Sequence, residues 1–285
     1  MANYLLQWDK TGERYFETGT KNGVIYPALG TVAAFSTTAT YAVGDYVKYD
    51  GKTYICTTAV SSAGSWTGTT NWAEYDSDYD KGVVWNGLTG VTESPDGAEE
   101  TALYADDIKY LSLRSAEELN YTITAYTYPD EFMQCDGTAA LGGIAGVYVG
   151  QQKRRMFGFV YTSTIGNDTE GNDAGEKLHI IYSSTASPSE RDYQTINDSP
   201  EAVEFSWECN TTPIDMPDLK KSAIITIDTT KLTTQGKINY ERLKNVLYGQ
   251  AAVTGTNAAP AVPARLPMPA EVLTMMSSTD PATSG

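Results

Sequence analysis

Apolar and polar residues alternate with a period of two through much of this chain. Across 201–209, Val203, Phe205, Trp207 and Cys209 alternate with Glu204, Ser206 and Glu208. That spacing predicts a strand with an aromatic ridge on one face and charge on the other. Shorter runs predict further strands over 108–114, 121–128, 147–151, 156–164, 179–184 and 223–228. Turn-forming clusters separate them: Asp136-Gly137, Gly166-Asn167-Asp168, Ser187-Pro188 and Asn197-Asp198-Ser199-Pro200. Helical spacing is clearest over 239–248, where Leu243, Val246 and Leu247 form a stripe, Asn239 caps the start and Gly249 stops it. The elements together predict a mainly β fold: a β-sandwich with an attached α-helix.

Two stretches depart from this pattern. Segment 31–72 holds 14 Ser/Thr and four charges that cancel (Asp45, Lys48, Asp50, Lys52). Inside it, Tyr46-Val47-Lys48-Tyr49 and Lys52-Thr53-Tyr54-Ile55-Cys56 flank Asp50-Gly51, the dipeptide of a type I′ hairpin. It reads as a small all-β module with its own aromatic core. Segment 250–269 is rich in Ala, Pro, Gly and Thr and reads as an extended arm, with Arg265-Leu266-Pro267-Met268-Pro269 as a docking point.

Charge and scarce residue types narrow the chemistry. The 285 residues carry 20 Lys+Arg against 36 Asp+Glu, a formal charge of −16. Such acidity argues against gripping nucleic-acid phosphates or adhering to anionic membrane. No apolar run is long enough to span a bilayer, and the N-terminal residues predict no secretory signal. One histidine, His179, and three dispersed cysteines, Cys56, Cys135 and Cys209, leave no multi-histidine centre or C-x-x-C pair. The sparse, odd cysteine count fits synthesis in a reducing cytoplasm. His179 lies in a predicted strand and no nucleophile signature accompanies it, so a packed or surface histidine is expected.

Other fragments read as structure. The acidic loop from Asp168 to Asp173 lacks the sixth-position Gly and twelfth-position Glu of a calcium loop, and reads as a solvated hairpin turn. Glu99, Glu100, Asp106 and Asp107 read as a solvated face. Lys153-Arg154-Arg155 reads as pairing with acidic loops or a neighbouring subunit, and the glycines at 142, 143 and 146 form no phosphate loop. We expect no enzyme activity, no cofactor and no metal.

The run Lys81-Gly82-Val83-Val84-Trp85-Asn86-Gly87-Leu88-Thr89-Gly90-Val91-Thr92-Glu93-Ser94-Pro95-Asp96-Gly97-Ala98-Glu99 resembles the N-terminal signature of the major tail (tail tube) proteins of long-tailed, non-contractile bacteriophages. Similar blocks follow at Leu103-Tyr104-Ala105-Asp106-Asp107-Ile108-Lys109-Tyr110-Leu111, Ala125-Tyr126-Thr127-Tyr128-Pro129-Asp130-Glu131-Phe132, Phe157-Gly158, Gly166-Asn167-Asp168, Leu178-His179, Ala186-Ser187-Pro188-Ser189-Glu190 and Thr195-Ile196-Asn197-Asp198-Ser199-Pro200-Glu201. Segment 240–248 with Arg265-Leu266-Pro267 is similar to the family's C-terminal close. The blocks cover most of 1–28 and 77–270 and are specific as an ordered set. The resemblance implies a β-sandwich with a helix, assembled as homo-oligomeric rings that stack into a tube. Its partners would be further copies of itself, other phage tail proteins and passing genomic DNA held without specific binding. The protein would reside in the virion after synthesis in the host cytoplasm, with no membrane role. An acidic lumen would suit a DNA conduit because it repels phosphate.

The implied organisation is a body of residues 1–28 and 77–249, an inserted module of 29–76 and an extended C-terminal arm of 250–285. The insert resembles small chitin-binding-type carbohydrate-binding modules through Tyr41, Gly44-Asp45-Tyr46-Val47, Tyr49, Gly51, Tyr54 and Trp72. The adjacent aromatic pair that such modules display after the second strand is here Thr57-Thr58. Two readings of the rings stand open. Trp66, with Tyr54, presents a platform for a cell-surface glycan, or the aromatics only fill a small core. Tyr41, Tyr46, Tyr49 and Trp72 are assigned to the core in either case. A free-standing glycan-binding protein or adhesin is the alternative function, and a carbohydrate-active enzyme a weaker one.

Overall fold

The computed structural model describes residues 8–97, 100–115, 117–191, 193, 195, 202–251 and 263–280. In chain order, β1 (Tyr15–Pro27) precedes the module strands β2 (Tyr46–Tyr49), β3 (Lys52–Cys56) and β4 (Trp72–Glu74). The chain continues through β5 (Val83–Val84), β6 (Leu88–Gly97), β7 (Glu100–Ala105), β8 (Ile108–Arg114) and β9 (Glu117–Ala125). After a 3-10 turn at Asp130–Gln134 come β10 (Ala139–Ala140), β11 (Tyr148–Val149), β12 (Phe157–Asn167), β13 (Gly171–Ala186), β14 (Phe205–Thr211) and β15 (Ile224–Asp228). Helices α1 (Thr234–Tyr248) and α2 (Pro269–Ser277) follow.

One antiparallel sheet runs in the order β5-β1-β12-β13-β14-β9-β6, with β15 paired to β13. Alternation along β12 sends Phe157, Phe159 and Tyr161 to one face and Val160 to the other. On the first face these rings meet Ile123 of β9, Trp207 of β14, Trp85 and Phe132, so the two ends of the sheet lie across a shared aromatic core. On the second, Val24, Tyr26, Leu178, Ile180 and Tyr182 pack under Tyr240, Leu243 and Leu247 of α1 and Val272 of α2. A strand covered on both faces needs an almost unbroken buried run, which is what β12 shows. The mainly β fold with a helical cover is therefore as expected.

Details differ from the sequence reading. In β14, Trp207 and Cys209 are buried and Glu208 is exposed, as its period of two requires, but the strand starts at Phe205. The predicted turn at 197–200 and Glu201 lie outside the described residues, as does Glu99. The strand expected over 147–151 shrinks to two residues, bracketed by the left-handed backbone of Gly146 and Gln151. Helix α1 begins five residues earlier than predicted, because Thr233 rather than Asn239 caps it, its hydroxyl accepting from the Gly236 N–H at 3.1 Å. Asn239 is fully buried inside the helix, where its amide donates to the carbonyls of Met276 (3.1 Å) and Ser278 (2.7 Å). That polar latch, with Leu266 and Val272 in the second core, corrects the reading of 250–285 as an extended arm: residues 263–280 dock on the body. Much of the arm's Ala/Pro-rich part, 252–262, lies outside the described residues.

The module leaves and rejoins the body at one place. Leu29 N–H donates to Asp78 O (2.6 Å) and Asp80 N–H to Pro27 O (2.7 Å), while Ala28 and Tyr79 form a β-bridge. The two ends of the insertion are thus adjacent, forming a two-stranded neck.

Candidate functional site

Within the module, Asp50 and Gly51 both adopt positive φ (49° and 78°), the backbone that a type I′ turn requires. The turn pairs β2 with β3 in the register Val47↔Tyr54, and β3 pairs β4 through Cys56↔Trp72. Val47, Cys56 and Trp72 form the buried centre, ringed by Phe35, Tyr41, Tyr54, Val60 and Trp66. The module therefore owns a core that shares no residue with the two cores of the body.

The rings form an ordered stack. Trp66 lies nearly parallel to Tyr49 (centroids 4.2 Å apart, 7°) and to Trp72 (5.1 Å, 18°). Two rings parallel to a third at such separations cannot share one of its faces, so both faces of Trp66 are covered. Phe35 stands edge-on to Tyr49, Trp66 and Trp72, and Tyr54 meets Trp66 edge-on at 4.9 Å. The ring at the solvent end of the stack is Tyr49, 39% exposed. Tyr49, assigned to the core from the sequence, is thus the outer ring of the stack, and Trp66 lies beneath it, between Tyr49 and Trp72. The signal was present in β2, where Tyr49 shares the side of Val47 but sits at the hairpin rim. Phe35, which the sequence reading passed over, stiffens the stack from the side.

Tyr41 and Trp72 lie in the module core, the Tyr41 hydroxyl oxygen accepting from Ser36 N–H at 2.7 Å. Tyr46 does not. It faces the neck, 5.0 Å from Tyr75, and donates its hydroxyl to Asp80 Oδ1 at 2.9 Å. Burial and the neighbouring Tyr75 and Asp80 push the Tyr46 phenol far above its usual range, so it remains a donor. Thr57 and Thr58, at the place of the missing aromatic pair, are exposed and tied by backbone bonds to Asn71.

His179 has more partners than its sequence context suggests. Ser163 Oγ lies 3.2 Å from its Nε2, Glu93 Oε1 lies 3.2 Å from its Nδ1, and Tyr161 stacks on the ring at 4.4 Å. The order Ser–His–Glu is that of a nucleophilic triad. Ser163, however, pairs with Thr20 on one side and Lys177 on the other, so the neighbouring N–H groups serve sheet ladders and do not converge on an oxyanion. The Glu93 carboxyl is held below its usual range chiefly by His179, which outweighs the upward push of burial, with Tyr161 adding to the lowering. The group acts as a polar clamp between β6, β12 and β13.

The remaining fragments fall in structural settings. Asp168 Oδ1 accepts from Gly12 N–H at 2.9 Å at the β12–β13 turn. Arg155 donates to Ala28 O at 2.6 Å and lies 3.8 Å from Asp80, while Arg154 donates to Ala186 O at 2.9 Å. Cys56, Cys135 and Cys209 are free and buried. Among the described residues no group of three or more His, Cys, Asp or Glu is placed to hold a metal, and no helix is long and apolar enough to cross a membrane.

Residues 34–74 match the model of carbohydrate-binding module family 5/12, a span that coincides with the module and contains the whole aromatic stack. No curated protein matches the chain.

Proposed function

We propose that the chain is a structural tail tube subunit of a long-tailed, non-contractile bacteriophage whose inserted module faces outward and engages glycan through Tyr49, with Trp66 and Tyr54 as its support. The observation that carries the glycan half is the coincidence of the family 5/12 match with an exposed tyrosine backed by a stacked tryptophan. An aromatic face suits the apolar patches of a sugar ring and costs little entropy to hold. The tube half rests on the ordered blocks across 1–28 and 77–270 and on a sandwich-plus-helix body of the kind they imply. Net acidity suits a conduit whose cargo is phosphate-rich. In such a tube an inward module would obstruct passage, so sterics favour the outside.

One small platform gives weak binding, about −4 kcal/mol or millimolar. Repetition along a tube converts that into avidity larger by roughly two to four orders of magnitude when many sites meet one polysaccharide. Negative-stain microscopy of the purified chain, with co-sedimentation on insoluble chitin and host cell-wall material, tests both halves. Rings or tubes retained on polysaccharide support the reading. A persistent monomer retained on polysaccharide selects the second reading, a free-standing glycan-binding protein, which draws on the same module match.

A further inference from the structure

Among the described residues the β7–β8 hairpin pairs with no other strand and contributes nothing to the hydrophobic cores, yet it carries a row of apolar side chains. Leu111 and Leu113 share one face with Leu103 opposite Leu111, and Ile108 and Tyr110 occupy the other. All five are exposed, Tyr110 to 70%. A two-stranded hairpin in water is marginal unless one face is packed, so this one is built to be covered. Its tip carries Asp106 and Asp107, both exposed and both with positive φ (50° and 60°).

A complementary surface lies elsewhere on the chain. Between β15 and α2 runs an apolar groove of about 600 Å³, lined chiefly by Met216, Leu219, Ile225, Leu232, Leu273 and Met276. Leu219 is 80% exposed and Leu273 49%. Lys220 and Lys231 also line it, with Asp228 as the acid among them. One flank is β15, whose only strand partner among the described residues is β13, leaving its other edge beside the groove.

We infer that the leucine face of the β7–β8 hairpin of one copy seats in the β15–α2 groove of a second copy, with Asp106 and Asp107 reaching Lys220 and Lys231. The occupant is a second copy because the same chain carries both halves of the match: an apolar projection with an acidic tip, and an apolar groove with lysines along it. Burying leucines against leucines and methionines supplies the attraction, and opposite charge sets the direction of entry. Projection and groove are different surfaces, so the contact is head-to-tail and either closes into a ring or continues as a filament. This rests on the self-association in the proposed function and says which surfaces carry it.

The test uses sedimentation velocity of the full chain. One variant carries Leu111→Asp and Leu113→Asp, the other Leu219→Asp and Leu273→Asp; all four side chains are exposed, and circular dichroism melts check that each variant stays folded. Each variant alone is expected to remain monomeric where the unmodified chain assembles. Their equimolar mixture is expected to stop at a 1:1 dimer, because only one intact hairpin and one intact groove remain to meet. Assembly of either variant alone, or a mixture that stays monomeric, overturns the inference while leaving self-association standing. An unmodified chain that never assembles overturns both.

Discussion

Tyr46, on the first strand of the module, donates its hydroxyl to Asp80 at 2.9 Å on the segment that re-enters the body. With Tyr75, which donates to Tyr79 O at 2.8 Å, it seals the neck by side-chain contacts added to the backbone pairs at Leu29 and Asp80. Among the described residues the module joins the body at this neck and keeps a hydrophobic core of its own.

Deleting residues 29–75 and joining the flanks with a short Gly/Ser linker is therefore expected to leave the body folded. Adjacent ends make such excisions cheap in chain geometry. Calorimetry should show the main unfolding transition within a few degrees of the full chain's. Failure of the shortened protein to refold would mean that the body depends on the module.

Tyr49→Ala and Trp66→Ala should separate binding from folding. Tyr49 caps the stack from outside, so its loss should abolish retention on polysaccharide while the module keeps its melting transition. Trp66 lies between two rings, and its truncation should destabilise the module by about 3 kcal/mol, the low end for a packed aromatic. Equal retention of the Tyr49→Ala chain would remove the platform assignment.

The thiols report the two units separately. Cys56 belongs to the module core, whereas Cys135 and Cys209 belong to the first core of the body. Burial raises all three thiols, Cys135 to about 12, so none offers appreciable thiolate at neutral pH. Native protein should be inert to maleimide. As denaturant rises, Cys56 should label at a different concentration from the other two, read by peptide mass spectrometry. Simultaneous labelling of all three would show one cooperative unit.

Most of the strands were legible because the sheet's inner strands obey a period of two and turn residues punctuate them. Helix α2 was not. Its apolar residues follow an Ala/Pro-rich stretch, and the latch that docks it is the carboxamide of Asn239, a residue whose type reads more readily as a cap. In the module the residue types were visible, but their order in the stack was not: spacing shows that Tyr49, Trp66 and Trp72 are aromatic, while which ring ends outermost depends on how the loop over 57–71 returns. The pairing of His179 with Glu93, 86 positions away, is set by sheet topology and leaves no local trace.

Glu93 and Glu176 are two carboxylates whose protonation is expected to cost stability in acid. Glu93 is lowered first by His179; Glu176 is pushed up by burial, but Tyr240, Lys244 and Lys21 outweigh that and leave it lowered. A carboxyl with a depressed folded value stabilises above its unfolded value, near 4.3, and that contribution is lost as pH falls through the folded value. Urea midpoints measured from neutral pH down to about 3 should therefore fall more steeply for the unmodified chain than for Glu93→Gln or Glu176→Gln. Parallel pH curves for the three proteins would contradict the assignment.

The Asn239 latch gives a last measurement. Asn239→Leu removes the donor from two carbonyls at the end of α2, and a loss of about 1–3 kcal/mol is expected for such unsatisfied groups. Hydrogen exchange should rise first in 269–277 and only later in α1. Unchanged protection of α2 would show that its apolar contacts suffice.

The neck also bears on the order in which the chain acquires its structure. Bringing Leu29 to Asp78 through a disordered excursion of some fifty residues costs about 3.5 kcal/mol of closure entropy, whereas an already folded module presents the same ends as if joined by roughly five residues, a saving of about 2 kcal/mol. A module that folds early thus draws β1 and β5 together before the large sheet condenses. Damage confined to its aromatic stack would then slow the folding of a body that the stack never touches.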